Sequence, residues 1–159
     1  MAVSFEQDQE IMKRIKIFYI ITGLNVGGAE RLLYDTVRHL DDSVYEPVVV
    51  SLVGGTLTRS FREAGIRVMS VHMSNRWPLP GFMRLLHLVH EERPAIVHTH
   101  LVHADIFGRM TAKICGVPVI VSTLHMVEDA RRKFPYKFLN RLTARWNTAF
   151  IAVSEAIAF

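Results

Sequence analysis

Residues Ile15-Lys16-Ile17-Phe18-Tyr19-Ile20-Ile21 run directly into Thr22-Gly23-Leu24-Asn25-Val26-Gly27-Gly28-Ala29-Glu30-Arg31, and a helical pattern follows at once. The first stretch reads as an apolar strand. The paired glycines Gly27 and Gly28 let the backbone turn sharply and approach another group closely. A helix opening there directs unpaired N–H groups and a partial positive charge at the same spot. Strand, glycine turn and helix N-terminus together suit a phosphate. The spacing is not the G-x-G-x-x-G of a dinucleotide fingerprint. The same residues also read as a tight strand-to-helix turn that binds nothing, with Glu30 complementing the helix dipole and Arg31 solvated.

Working outward, strand and helix patterns alternate. Ala29, Leu32, Leu33, Thr36, Val37 and Leu40 recur at helical spacing and give the first helix one core face. The β-branched run at 47–53 predicts a second strand, ended by Gly54-Gly55. A short helix over 57–64 follows, stopped by Gly65, and then a third strand over 66–71. Trp77-Pro78-Leu79-Pro80-Gly81 reads as a rigid loop before a helix carrying Phe82, Leu85, Leu86 and Val89. Strand four is expected over 95–100, a helix with Phe107, Met110 and Ile114 after it, and strand five over 118–122. Phe138, Leu142 and Trp146 mark a further helix, 149–153 a sixth strand, and Ser154-Glu155 the opening of one more helix. Apolar strands separated by helices predict an α/β fold: a Rossmann-like, doubly wound parallel sheet with helices on both faces. Its connections should be right-handed, and its ligands should lie at the carboxyl ends of the strands.

A length of 159 residues and 50% hydrophobic composition suit one domain over 15–159. Residues 1–14 carry Glu6, Asp8 and Glu10 without a long apolar core and read as a flexible tail, with no signal-peptide shape. No apolar run approaches the roughly 20 residues of a membrane span. The net charge of +4 is a mild excess that permits anionic partners without demanding them. Cys115 is the only cysteine, which excludes an internal disulfide and a multi-cysteine zinc site and points to a reducing cytoplasm. The last helix barely begins before Phe159, so the chain reads as a cut fragment or as one whose closing helix comes from elsewhere.

Four short constellations carry candidate chemistry. The first is the glycine turn. The second is Val97-His98-Thr99-His100-Leu101-Val102-His103-Ala104-Asp105. His98 and His100 are two apart on a strand and point the same way, with His100 at the strand end. A histidine there positions or polarises a substrate hydroxyl, or simply satisfies a core hydrogen bond. Zinc is the weaker reading, because no cysteine or carboxylate set completes a site. His103 and Asp105 fall at the start of the following helix, where Asp105 is a favourable first-turn charge. The third is Val121-Ser122-Thr123-Leu124-His125, which again places a histidine just past a strand, or else is only a polar loop. The fourth is Ala152-Val153-Ser154-Glu155-Ala156, in which Ser154 is a good helix N-cap.

In their order and placement these elements resemble the N-terminal domain of the family-4 glycosyltransferases, over about residues 15 to 159. The resemblance implies the N-terminal half of a GT-B architecture, in which two Rossmann-like domains face a cleft. It implies sugar transfer from a nucleotide sugar with retention of configuration, without metal or other cofactor. The donor would be a UDP- or GDP-sugar and the acceptor a polysaccharide or a glycolipid. By this likeness Gly27, Gly28 and Ser154 bind the donor side, His100 lies near the reacting sugar, and His98, His103 and His125 line the acceptor-side cleft. Ser154 and Glu155 mark the passage to the second domain. That C-terminal donor domain, with its Glu-x7-Glu motif, is absent from the sequence, so activity is expected only when it is supplied in cis or in trans. The competing reading is a non-catalytic nucleotide- or protein-binding module. A third reading, a metal hydrolase using the histidines, is the weakest.

Two surface features bear on the acceptor. Arg131, Arg132, Lys133, Lys137, Arg141 and Arg145 carry no acid between them and are interleaved with Phe134, Tyr136, Phe138 and Trp146. This stretch reads as a solvated basic helix face, or as a peripheral contact with the inner face of the membrane. It lacks a nucleic-acid fold signature. Trp77, in its stiff loop, either stacks on a sugar or pins the loop to the core.

Overall fold

The computed structural model describes residues 14–74, 78–125 and 136–154. Its elements are β1 (Ile15–Ile21), α1 (Gly28–Arg38), β2 (Tyr45–Ser51), α2 (Thr58–Glu63), β3 (Arg67–Ser70), α3 (Leu79–Glu92), β4 (Ile96–His100), α4 (Val102–Ile114), β5 (Val119–Leu124), α5 (Tyr136–Ala144) and β6 (Ala149–Ala152). The strands form one sheet in the order β3-β2-β1-β4-β5-β6, and every neighbouring pair is parallel. This is the doubly wound order, in which the winding reverses between β1 and β4.

The apolar run of β1 follows from its central place. Phe18 and Ile20 pack with α3 and α4 residues Leu85, Val89, Ala104 and Ala112 on one face. Ile17, Tyr19 and Ile21 pack with Leu33 and Val37 of α1 and Phe61 of α2 on the other. A strand covered on both faces has no polar side to present, so hydrophobicity is nearly continuous. Helix α3 carries the chain from the β3 edge back to β4. Pro80 fits its first turn, where an N–H is dispensable. At Gly81 a Cβ would stand 2.6 Å from the Met73 Cα, so the helix can pack this closely on the segment after β3 only with glycine there.

The alternation matches the sequence reading, and the boundaries differ in instructive places. Strand β3 covers only Arg67–Ser70. Strand β5 runs to Leu124, two residues beyond the apolar core of its pattern, because Ser122 and Thr123 continue the ladder beside Thr99 and His100. Helix α5 stops at Ala144, so Trp146 packs from the turn that follows it. The tail expected over 1–14 lies outside the described residues except for Arg14, and so do the Trp77 loop tip and Arg131, Arg132 and Lys133 of the basic stretch. Among the described residues no helix is long and apolar enough to cross a membrane.

The two edges of the sheet differ chemically. At the amino edge the Glu92 carboxylate takes Lys16 at 2.7 Å and Arg67 at 2.6 Å. The Arg67 and Lys16 hydrogen bonds hold that carboxyl down at about 2. The carboxyl edge carries the histidines.

Candidate functional site

Ile21 and His100 are register partners at the carboxyl ends of β1 and β4, where the winding reverses. The two chains leave this point on opposite sides of the sheet, into α1 and α4, and open a crevice between them. The register sets Tyr19 beside His98, His98 beside Val121, and His100 beside Thr123. The period of two along β4 then stacks the His98 and His100 rings 4.4 Å apart, with Tyr19 5.2 and 6.1 Å from them. His98 Nε2 lies 2.7 Å from Thr123 Oγ1. His100 Nδ1 lies 3.0 Å from Nε2 of His125, which stands just past β5.

Burial decides the charge of this cluster. His98 is 9% and His100 2% exposed, whereas His125 is half-buried. Desolvation, with His125 nearby, pushes His98 down to about 4. Desolvation, with both neighbouring histidines, holds His100 well below the ordinary range, and burial lowers His125 as well. The Tyr19 phenol is pushed up to about 12, first by burial and then by Tyr45. At neutral pH the cluster is uncharged and works by hydrogen bonding and shape. His100 Nε2 is buried without a hydrogen-bond partner. Among the described residues no group of three His, Cys, Asp or Glu side chains is placed to hold a metal ion.

The opposite face of β4 carries a second polar group. Thr99 Oγ1 lies 2.6 Å from both Asp105 Oδ1 and Ser122 Oγ. Arg109 donates through Nε to Ser122 Oγ at 2.9 Å and through Nη1 to Asn140 Oδ1 at 2.8 Å. Its guanidinium also lies 5.7 Å from the centre of the Phe150 ring. Asp105 takes the first-turn place on α4 expected from sequence, but it is also part of this buried network. It is 4% exposed and tied to Thr99, on the buried side of α4 with Ala104, Gly108 and Arg109. The network joins α4 to β4, β5 and α5.

Between His100 and α4 the chain passes through Leu101, whose φ of 72° lies in the left-handed region. Such a residue costs about 1–3 kcal/mol and persists only where its surroundings impose it. Thr22 Oγ1 accepts the Ala104 N–H at 3.3 Å and ties the β1 exit to this turn. His103 leaves the other three histidines. Its ring meets Tyr136 edge-on at 5.0 Å, where both border a small pocket with Thr22, Met73 and Phe107.

The glycine turn differs from its sequence reading. Gly27 is extended backbone (φ −168°, ψ 169°), which any residue adopts, and a Cβ at Gly28 would meet nothing within 4 Å. Neither glycine is required for a sharp turn. A Cβ at Gly27 would run into the Glu30 carboxylate, whereas Gly28 leaves open space beside the first N–H groups of α1, which carry no side-chain cap. Both line a groove between α1 and α2 with Arg31, Tyr34, Arg38 and Phe61, separate from the histidines. The glycine that the backbone does need is Gly55. Its φ is 152°, and a Cβ there would fall 2.2 Å from the Leu24 carbonyl carbon. Ser154 is exposed two residues beyond β6, and the helix expected after it lies outside the described residues.

Sequence reasoning missed Tyr19, Thr123 and Arg109. Tyr19 is hidden in a run that is apolar on both faces, so only the β1–β4 register reveals it. Arg109 was detectable as the i+4 partner of Asp105 on a helix whose neighbouring positions are apolar.

The sequence profile of Glycosyltransferase Family 4 matches residues 26–158. An Escherichia coli UDP-Gal:alpha-D-GlcNAc-diphosphoundecaprenol alpha-1,3-galactosyltransferase is 26% identical over 149 residues, which cover 88% of this chain and 38% of that protein. Among solved structures, Anabaena HepE in complex with UDP superposes with a TM-score of 0.75 at 19% identity, over 89% of this chain and 38% of that one. A glycosyltransferase from Rickettsia africae gives a TM-score of 0.69 at 19% identity, over 92% of this chain and 38% of that one. The chain thus spans under two-fifths of the length of these relatives. With its profile match over most of the sequence and its doubly wound sheet, the chain belongs to glycosyltransferase family 4, with the fold of that family's N-terminal domain.

Proposed function

We propose that this domain forms the acceptor side of a retaining glycosyltransferase whose donor domain is supplied in cis or in trans. The donor is a nucleotide sugar. UDP is favoured over GDP because the galactosyltransferase relative is named for UDP-Gal and HepE was solved with UDP. The acceptor is a lipid-diphosphate-linked glycan, the class named for the Escherichia coli relative. In the reaction the bond between the sugar's anomeric carbon and the diphosphate breaks, and its electron pair leaves on the diphosphate oxygen. The acceptor hydroxyl oxygen bonds to that carbon, and its proton leaves with the diphosphate or passes to water.

The chain's own contributions follow from its geometry. The uncapped N–H groups at the start of α1, fronted by Gly27 and Gly28, face negative charge developing on the leaving phosphates. His100 serves the reacting end of the crevice through His125, the more exposed ring of the pair. His98 braces His100 by stacking, His103 lines the neighbouring acceptor pocket with Tyr136, and Ser154 stands on the donor side. The observation that carries this reading is the neutral, stacked histidine cluster at the β1–β4 reversal. Lys137, Arg141 and Arg145, on and just after α5, supply positive charge for peripheral contact with the anionic membrane that bears such an acceptor.

Reading the coding DNA past the Phe159 codon, and the neighbouring frames, locates the donor half. The complete enzyme is then incubated with labelled UDP-galactose, UDP-glucose or UDP-GlcNAc and a polyprenyl-diphosphate-linked GlcNAc. Label is expected in the lipid phase with at least one donor. A complete enzyme that neither transfers label nor binds UDP overturns the proposal.

A further inference from the structure

His100 and His125 share one hydrogen bond between two ring nitrogens, Nδ1 of the first and Nε2 of the second, at 3.0 Å. Both rings are neutral, so only one of these nitrogens carries the bridging proton. The two arrangements have different consequences. If His125 donates, a neutral His100 must carry its own proton on Nε2. That nitrogen is buried and has no partner, so an N–H would be orphaned in the core. Orphaned buried N–H groups are the rarest kind of unsatisfied polar atom. If His100 donates, its Nε2 is a bare lone pair on a ring enclosed by Tyr19 and His98, and no N–H is stranded.

The second arrangement also fixes His125. Its Nε2 is then occupied as an acceptor, so its proton sits on Nδ1. That nitrogen makes no hydrogen bond to the described residues, and the ring is the half-buried member of the cluster. We propose that His100 is a positioning residue that locks His125 in its Nδ1–H tautomer, so that His125 offers a hydrogen-bond donor, and not a base, to an oxygen of the bound sugar. The ligand side of this inference rests on the transferase reading; the tautomer does not.

Burial supports the arrangement by keeping all three rings unprotonated near neutrality. Among the described residues, the groups facing the pair are Tyr19 from β1, His98 from β4 and Thr123 from β5. Thr123 is engaged by His98 at 2.7 Å and Tyr19 is a phenol held neutral by burial, so neither places a charge beside the bridge.

The test is ¹⁵N spectroscopy of the histidine rings in this chain without ligand at pH 7. The His125 signals are identified by their loss in His125→Gln. Expected are a protonated-type Nδ1 and an unprotonated-type Nε2 for His125, with a protonated-type Nδ1 for His100. In His100→Phe the bridge is lost, and the His125 pattern should move towards Nε2–H. In His100→Asn the amide Nδ2 donates in place of the ring, and the Nδ1–H pattern should remain. A wild-type His125 protonated on Nε2 overturns the proposal. An unchanged His125 pattern in His100→Phe, or its loss in His100→Asn, overturns it too. If the phenylalanine variant does not fold, the wild-type and asparagine spectra still decide. No donor or acceptor enters the measurement, so a failed transferase assay leaves this result standing, and the reverse holds.

Discussion

Arg109 and Asp105 stand one helical turn apart on α4, both buried, with Nη2 3.4 Å from Oδ2. The pair is long for an ion contact, and the closer partners of each group lie elsewhere. Arg109 reaches Ser122 and Asn140, and Asp105 reaches Thr99. The guanidinium thus fastens the sheet to α5, whose first residue, Tyr136, meets His103. Removing one member of a buried charged pair strands the other, which costs about 3–5 kcal/mol. Arg109→Ala is therefore expected to lower urea-unfolding stability by that amount. The double variant Arg109→Met with Asp105→Leu should lose less than Arg109→Ala, because no charge is left behind. A double variant as unstable as the single one would show that the hydrogen bonds to Asn140 and Ser122, and not charge pairing, hold the helices.

The histidine cluster makes the fold sensitive to acid. His98 titrates near 6.5 when unfolded and near 4 when folded, and His100 shifts the same way. Between these values the unfolded chain binds more protons than the folded one, so unfolding free energy rises with pH. The stability contribution is complete above about 6.5 and is lost as pH falls toward about 4, at about 1.4 kcal/mol per unit for each histidine. Denaturant unfolding at pH 7.5, 6.0 and 5.0 should show a progressive loss. His98→Leu should flatten the slope by about one proton's worth. A wild-type profile that is level from pH 7.5 to 5.0 would mean that the rings charge without penalty.

Much of this was legible beforehand, for a physical reason. Alternation of apolar strands with amphipathic helices reports two-sided burial, which a parallel sheet covered by helices on both faces supplies. The spacing of His98 and His100 sufficed to put both rings on one face, because strand period is fixed. What the sequence did not disclose depends on register or on local conformation. Thr123 joins His98 only because β5 extends past Ser122. Asp105 reads as a first-turn charge, which it is, but its burial and its bond to Thr99 depend on how α4 packs on β4. The glycines misled in the other direction. Gly27 and Gly28 resemble a turn that needs glycine, yet the backbone demand falls on Gly55, which looked like ordinary punctuation after β2.

That contrast is testable. Gly28 has open space around its missing Cβ and no positive φ, so Gly28→Ala should change stability by less than about 0.5 kcal/mol, helped by the helix propensity of alanine. If the space before α1 is where donor phosphate sits, the same variant should weaken UDP binding by the complete enzyme about tenfold, read by titration calorimetry. Gly55→Ala meets the Leu24 backbone and a strained φ together, so it should cost about 2–4 kcal/mol. Unchanged UDP affinity in a folded Gly28→Ala would remove this turn from the donor site.

The strained Leu101 beside His100 gives the last prediction. A residue at φ 72° is destabilising, and a glycine would relieve it, yet the chain places leucine there, directly after the buried histidine. The turn keeps β4 in register to its final residue, so that His100 stays opposite Ile21 and reaches His125. If this geometry serves turnover more than folding, the two effects of removing the ring should separate. In the complete enzyme His100→Ala should lower kcat about 100-fold, the scale on which positioned acid–base and hydrogen-bonding groups act. Its stability loss should stay within about 1–3 kcal/mol, since the variant opens a cavity but also removes the orphaned Nε2. Leu101→Gly, which loosens the turn without touching the ring, should lower kcat by a smaller factor with little change in KM. Full turnover in a folded His100→Ala would take the histidine out of the mechanism and leave Leu101 as strain without a catalytic purpose.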